Sequence, residues 1–309
     1  MANFIKIIIF LIILIGIGIY FFTQAPKFSE IIGRIPGQKI FLKPTSKPAP
    51  AAPWPTYPST PTPTISAEPE IPDYLIPAGF ERKDLSPYFQ KIQITSAYAS
   101  SWNYTPDQIR ISSYLNKGES ANITGWKIKS NRREIIIPRA INIYEPFGSA
   151  PEEDIILIVN NYVNIYSSKN PLNKNFRLNK CIGYLESAYD FNPALPQDCP
   201  APYKDRSEIA HLSGECQTYI MSLGGCKLPE TSFYNTLSGG EQGNVCRQFL
   251  NTISHGSCYQ KHRFDSDFLS NEWRIWIGRS VIPEDILDPQ HDRLLLFDKQ
   301  GLLVDEYVY

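Results

Sequence analysis

Short runs in which apolar and polar residues alternate make up most of the chain after residue 88. The first of them, FQKIQITSAY at residues 89–98, places Ile92 and Ile94 on one side of an extended chain. Alternation with a period of two is typical of strands that bury one face. The same pattern recurs at residues 107–115, 121–130, 134–144, 154–159, 161–168, 271–278 and 293–309. Turn-forming residues separate the runs, so the pattern predicts a mainly β domain of short strands.

Three residues within these runs are predicted to have structural roles. The last run contains a hairpin turn at residues 298–301, in which Gly301 suits a backbone with positive φ. Trp126 lies in an earlier run and is expected to anchor the core. Gly125, directly before it, is expected to serve a turn or bulge.

Two segments of the β pattern resemble a known family. The strand NITGWKI at residues 122–128 and the closing hairpin at residues 293–309 resemble the lamin-tail domain, which occurs in nuclear lamins and in bacterial envelope and secreted proteins. The resemblance covers residues 86–179 and 268–309. It implies an immunoglobulin-like β-sandwich that residues 180–267 interrupt. The coiled-coil rod of lamins is missing from the sequence, so filament assembly is not implied.

The insertion at residues 180–267 has helical rather than alternating spacing. Residues 206–223 predict a helix, with Ser207 as its N-cap and the glycine pair at residues 224–225 as its stop. Residues 243–253 predict a second, shorter helix. The segment has few apolar residues for its length, so a small helical module of this kind is expected to need cross-links.

All six cysteines of the chain lie in this insertion, namely Cys181, Cys199, Cys216, Cys226, Cys246 and Cys258. An even number of cysteines in one small segment predicts three disulfides and a location outside the cytoplasm. Sequence alone does not select the pairing. If the two predicted helices form an antiparallel hairpin, Cys216 faces Cys246, and Cys181 with Cys199 is a second expected pair.

A zinc site is the alternative use of some of these cysteines. Cys246, His255, Cys258 and His262 would supply four ligands of the types that zinc prefers. Their spacing matches no common zinc pattern, and an extracytoplasmic location favours disulfides. We therefore predict no metal site and keep this set as the alternative.

An unbroken apolar run precedes the β domain at residues 7–22. Extended to residues 4–23, it is long enough to cross the ~30 Å hydrocarbon core, and it predicts a single-pass membrane anchor. A cleaved signal peptide is the alternative, because Ala25 offers a small residue for cleavage, although the run is longer than such signals usually are.

A juxtamembrane segment at residues 24–43 and a proline-rich stalk at residues 44–77 follow the apolar run. The stalk contains eleven of the 26 prolines. Proline fixes φ and removes a backbone donor, so an extended spacer is expected rather than a helix or strand. The layout predicts a C-terminal domain held away from the outer face of the cell membrane.

Charge and motifs narrow the range of functions. Lys and Arg total 30 and Asp and Glu total 31, a net charge of −1, so no nucleic-acid partner is expected. No nucleophile, metallohydrolase or phosphate-loop motif is present, so we predict no catalytic residues and no cofactor. The string LSGGEQ at residues 237–242 matches part of an ATPase signature, but we interpret it as a glycine-rich loop that begins a helix.

The combined features predict a non-enzymatic binding or structural protein at the cell surface, whose partner is an envelope polymer or another protein. An extracytoplasmic hydrolase, or an accessory protein of a nuclease, is the alternative. Its candidate residues are His255, His262, Asp265 and Asp267, which are close in sequence. Self-association through a free sheet edge is a further expectation.

Overall fold

The fold is mainly β, with a small helical region that contains three disulfides. A computed structural model describes residues 71–100, 105–146, 150–278 and 284–309. The predicted anchor at residues 4–23 and the juxtamembrane segment lie outside these residues, as does the stalk up to residue 70. No helix within the described ranges is long and apolar enough to cross a membrane.

The described residues contain eleven short strands. They are β1 (Ile92–Tyr98), β2 (Gln108–Ser113), β3 (Ala121–Asn122), β4 (Lys127–Lys129), β5 (Glu134–Ile136), β6 (Ile156–Leu157), β7 (Tyr162–Tyr166), β8 (Phe176–Asn179), β9 (Leu269–Trp276), β10 (Arg293–Phe297) and β11 (Leu303–Val308). Alternation predicts every one of them except β8, which lies in a turn-rich stretch.

The strands form a five-stranded, a four-stranded and a two-stranded sheet. The strand orders are β1-β2-β7-β9-β8, β11-β10-β4-β5 and β3-β6. Neighbouring strands are antiparallel, except that β7 and β9 are parallel, with Val163 opposite Trp273. Each of the two larger sheets therefore combines strands from before and after the helical region.

One hydrophobic core lies between the buried faces of the two larger sheets. Ile109 and Ile165 from the five-stranded sheet belong to the same buried cluster as Ile128 and Leu296 from the four-stranded sheet. Trp126 is 2% exposed within this cluster, and the ring of Tyr88 packs 5.5 Å from it. Burial of these alternating faces is the main stabilising contribution expected for the β domain.

Both predicted turn glycines have positive φ. Gly125 has φ of +82° and Gly301 has φ of +85°. The turn that contains Gly301 joins β10 to β11, and the buried Asp298 carboxylate accepts hydrogen bonds from the backbone N–H groups of Gln300 and Leu302, each at 2.9 Å. A side chain that caps its own turn in this way fixes the register of the hairpin.

A second carboxylate joins β11 to β1 across the edges of the two larger sheets. Oδ2 of Asp305 accepts a hydrogen bond from the Ile94 backbone N–H at 2.7 Å. The β1–β2 register shifts between Ile94 and Ser96, so the N–H of Ile94 is turned towards β11. Burial raises the pKa of Asp305 to about 6.

The helical region lies between β8 and β9 and contains four α-helices. They are α1 (Gly214–Ser222), α2 (Thr231–Thr236), α3 (Glu241–Asn251) and α4 (His255–His262), with 3-10 turns at Ile182–Ser187 and Arg206–Ile209. Helix α3 begins after Gly240, with Glu241 in its first turn, as the reading of LSGGEQ predicts. Helices α2 and α4 were not expected from the sequence.

The single helix predicted at residues 206–223 is wrong, because the chain divides it in two. Ser213 has extended backbone angles, and its hydroxyl accepts the Cys216 N–H, so a new helix begins at Gly214. The earlier 3-10 turn is capped by Asp205, which accepts the Ser207 N–H, and Ser207 itself is not an N-cap. The Ser213 hydroxyl accepts a backbone N–H at the start of the helix, as the side chains of N-cap residues do, and this favours a new helix start over a continuous helix.

Three disulfides join Cys181 to Cys258, Cys199 to Cys226 and Cys216 to Cys246. The predicted Cys216–Cys246 pair, between α1 and α3, is confirmed. The predicted Cys181–Cys199 pair is wrong, because Cys181 follows β8 directly and meets α4, which lies close to the start of β9. The six cysteines form the centre of a second hydrophobic core together with Ile220, Leu250 and Phe268.

The buried carboxylate of Asp107 holds together two segments that are distant in sequence. Asp107 is 2% exposed. Its Oδ1 accepts the Ser100 N–H at 2.7 Å, and its Oδ2 accepts the Ile286 and Leu287 N–H groups at 2.8 and 3.0 Å. These bonds fix the chain before β2 to the chain before β10.

We expect Asp107→Ala to lower the free energy of unfolding by about 3–5 kcal/mol, because it leaves three backbone donors without their acceptor. Urea titration of the full chain measures this change. Asp285→Ala is the control: its carboxylate is 76% exposed and pairs with Arg132, so a change below about 1 kcal/mol is expected. Equal effects of the two variants would contradict the role given to Asp107.

The Cys181–Cys258 disulfide closes the longest loop, with a sequence separation of 77 against 30 for Cys216–Cys246. In the chain-entropy model the longer loop contributes about 1 kcal/mol more to stability. We therefore expect the Cys181→Ser/Cys258→Ser double variant to lose more free energy of unfolding than Cys216→Ser/Cys246→Ser. Urea titration of both oxidised variants tests this order, and the reverse order would contradict it.

Candidate functional site

A groove of about 640 Å³ lies on the surface of the helical region. Its lining residues are Pro200, Ala201, Tyr203, Lys204, Glu208, Lys261, His262 and Asp265. The first five belong to the chain around the 3-10 turn at Arg206–Ile209, and the last three to the C-terminal end of α4 and the loop after it. Its volume is within the ~300–1,000 Å³ range of ligand sites.

Local folding of α4 places Lys261 and His262 at the groove. The hydroxyl of Ser254 caps the helix by accepting the Ser257 N–H, and the Cys258 disulfide fixes the middle of the helix. Nζ of Lys261 donates to the carbonyl oxygen of Pro202 at 3.0 Å, which joins the two walls of the groove. The groove is therefore held by a cap, a disulfide and a direct hydrogen bond.

A network of four charged or titratable side chains borders this groove. Nδ1 of His262 lies 2.9 Å from Oδ2 of Asp265, and the same oxygen accepts a hydrogen bond from Nζ of Lys180 at 3.0 Å. Lys180 also donates to Asp267 at 2.5 Å. The four side chains therefore form one continuous chain of contacts, from His262 through Asp265 and Lys180 to Asp267.

The pKa shifts in the network favour the charged forms of its Lys and Asp side chains. The hydrogen bond with Asp267, followed by that with Asp265, raises the pKa of Lys180. Hydrogen bonds from His262 and then from Lys180 lower the pKa of Asp265, and the bond from Lys180 lowers the pKa of Asp267. The three side chains are therefore fully charged at neutral pH.

A smaller groove of about 290 Å³ adjoins the same network. It separates the helical region from the end of the five-stranded sheet, and its lining residues are Tyr162, Leu178, Asn179, Lys180, Ile182, Pro196, Asp198, Asp267, Phe268, Ser270 and Glu272. Lys180 and Asp267 thus line the smaller groove, while their partner Asp265 lines the larger one. The Lys180–Asp265 ion pair thus joins a residue that lines the smaller groove to one that lines the larger groove.

A buried polar cluster supports the floor of the smaller groove. Oε1 of Glu272 accepts hydrogen bonds from Nε of Arg274 at 2.6 Å and from Nδ2 of Asn164 at 2.9 Å. Its Oε2 accepts the hydroxyl of Tyr162 at 3.1 Å, and the guanidinium of Arg110 lies 3.9 Å above the Tyr162 ring. Because every partner is held in turn, Glu272 is a rigid acceptor.

Asn179 is the one lining residue with a buried donor that is left unsatisfied within the described part of the chain. It is 5% exposed, and its Oδ1 accepts the Cys181 N–H at 2.9 Å. Its Nδ2 is buried and has no hydrogen-bond partner. An unpaired buried amide is costly, so such groups in native structures point to a missing partner.

Family models, curated proteins and solved structures yield no match to this chain.

Three of the four residues proposed for a hydrolase come together in the structure. His262 contacts Asp265, and Lys180 joins Asp265 to Asp267. His255 does not join them, because it begins α4 and lies against Tyr144, with 6.0 Å between the ring centroids. The His262–Asp265 contact is recognisable in sequence as an i, i+3 pair, whereas Lys180, Asn179 and Glu272 carry no sequence signal.

The alternative zinc set is not assembled. Cys246 and Cys258 belong to different disulfides, so neither offers a thiolate. Within the described residues, no group of three or more His, Cys, Asp or Glu side chains is arranged to hold a metal ion.

Burial lowers the pKa of His255 to about 4, and this shift predicts how the stability of the protein depends on pH. Its Nε2 is buried without a partner among the described residues. The unfolded chain binds a proton near pH 6.5 and the folded chain does not, so the free energy of unfolding falls as the pH drops from about 6.5 to about 4. Asp305, whose pKa is raised to about 6, acts in the opposite direction over nearly the same range.

We therefore expect His255→Phe to gain stability relative to the natural chain at pH 4.5, by about 2 kcal/mol more than at pH 7.5. Urea titrations at the two pH values measure the difference. His211→Phe, which changes an exposed histidine, is the matched control and is expected to show no such gain. A His255→Phe difference that is equal at both pH values would contradict this assignment.

Proposed function

We propose that the protein is a non-enzymatic binding protein of the cell envelope, held outside the cytoplasm. Residues 4–23 would anchor it in the membrane, and the proline-rich residues 44–77 would extend the folded domain towards its partner. The observation that carries this proposal is the pair of grooves, lined by both charged and apolar side chains, on a region in which all six cysteines form disulfides. Disulfides of this kind persist in oxidising compartments.

We also propose that the β domain is an immunoglobulin-like sandwich related to the lamin-tail domain. Support comes from two sheets that share one core, from the buried Trp126 and from the closing β10–β11 hairpin with Gly301 at positive φ. In this proposal the sandwich is the scaffold and the helical insertion carries the binding surface. Rigid supports of this kind are typical of recognition sites on loops.

A second candidate function is hydrolysis in the larger groove. The observation that favours it is the contact of His262 with Asp265, which orients the ring so that Nε2 is left without a protein partner among the described residues. A histidine held in this way is suited to act as a general base. The described residues show no nucleophile hydrogen-bonded to His262, so we place binding first.

The test is retention of the full chain, kept in detergent micelles, on envelope fractions of the source cells from which membrane lipid has been removed. We expect saturable retention that weakens at least tenfold in Lys180→Ala, because this change releases Asp265 and Asp267 between the grooves. Lys117→Ala, in an exposed turn, is the matched control and should bind like the natural chain.

No retention on any fraction, or equal retention of Lys180→Ala and the natural chain, would contradict the proposed function. Release of soluble fragments from the fractions, lost in His262→Gln, would instead establish the hydrolase.

A further inference from the structure

The larger and smaller grooves are connected through a pair of lining residues that contact each other. Lys180 of the smaller groove and Asp265 of the larger groove form an ion pair at 3.0 Å. A ligand that fills one groove therefore has a neighbouring groove to enter when it is long enough. This geometry suits a chain-like ligand better than a single small molecule.

The charges of this surface are balanced. Positive and negative side chains both lie in or directly beside the grooves. The positive ones are Lys180, Lys204, Lys261 and Arg274, and the negative ones are Asp198, Glu208, Asp265, Asp267 and Glu272. Polyanions and polycations are bound by an excess of the opposite charge. A surface of mixed charge without such an excess favours an uncharged ligand.

The larger groove offers both a donor and an acceptor that the protein does not use for hydrogen bonds. Nζ of Lys204 makes no hydrogen bond to another of the described residues. Glu208 accepts the Lys204 backbone N–H with one oxygen, which leaves its second oxygen as an acceptor. A hydroxyl group donates one hydrogen bond and accepts others, so a polyhydroxylated ligand matches this mixture.

Tyr203 adds an aromatic surface to the larger groove. The side chain is half-buried and packs against the core around the disulfides, and it also lines the groove. An aromatic ring fixed on one side by packing offers its other side to an apolar face of a ligand. Pyranose rings combine such a C–H face with hydroxyl groups at their edge.

We propose that the two grooves together bind a neutral oligosaccharide chain, with one unit against Tyr203 and the chain passing over the Lys180–Asp265 pair towards Asn179. This inference rests on the proposed binding function and names the chemical class of its ligand. Glu208 and Lys204 would bind hydroxyl groups in the larger groove, and the sugar chain would extend over the smaller groove, which Asn179 lines.

The test is calorimetric titration of the full chain with cellotetraose, chitotetraose and maltotetraose. We expect at least one of them to bind, with binding weakened at least tenfold in Tyr203→Leu and several-fold in Lys204→Ala. Tyr114→Leu, which changes a tyrosine that is 58% exposed, and Lys117→Ala are the matched controls and should bind normally. Lys204 is exposed, so its variant tests the proposal even where Tyr203→Leu fails to fold.

Binding of none of the three tetrasaccharides would overturn the proposal, as would binding that both groove variants leave unchanged. Retention on envelope fractions together with no tetrasaccharide binding would overturn the ligand class and leave the proposed function standing. Absence of both would overturn the function itself. Poly-L-glutamate and poly-L-lysine are tested separately as charged probes. Binding of one of these polymers without binding of any tetrasaccharide would also overturn the proposal.

Discussion

Strand β9 lies between β7 and β8, and its two ladders join the parts of the chain that precede and follow the helical region. Its pairing with β7 is parallel and its pairing with β8 is antiparallel. Without β9, the outer strand β8 has no neighbour in the sheet, and the core side chains Trp273 and Ile275 are missing. The position of the helical region, the floor of the smaller groove and the sharing of one core by both larger sheets all depend on this placement.

The β architecture could be predicted largely from residue patterns, because a strand that buries one face must alternate. The pattern does not reveal contacts that polar groups make over long distances. Asp107 is an ordinary turn residue in sequence, yet its carboxylate binds two N–H groups 179 and 180 positions away. The predicted pairing of Cys181 with Cys199 is wrong because the true partner, Cys258, lies on α4, and the packing of α4 beside Cys181 is also a long-range contact. The break before Gly214 depended on Ser213, which outweighed the helical spacing around it.

The candidate site was predictable only in its local part. His262 and Asp265 are neighbours on the chain, so their contact follows from short-range geometry. Lys180 reaches them because β8 ends beside the start of β9, and Glu272, on β9, lines the smaller groove next to this end of β8. A groove built from three distant segments has no sequence pattern of its own. Function is accordingly inferred from the chemistry of its lining rather than from a motif.

The two ends of the helical region lie side by side. Asn179 is paired with Leu269, and the N–H of Lys180 donates to the carbonyl of Phe268 at 3.0 Å. The whole region is thus the connection of a single hairpin, and the sheet requires only that its ends meet. The helical region could therefore be replaced by a connection of different length and shape between β8 and β9, while the strand order stays the same. In the proposed function, the β domain is a constant scaffold and the binding region is an exchangeable connection between two of its strands.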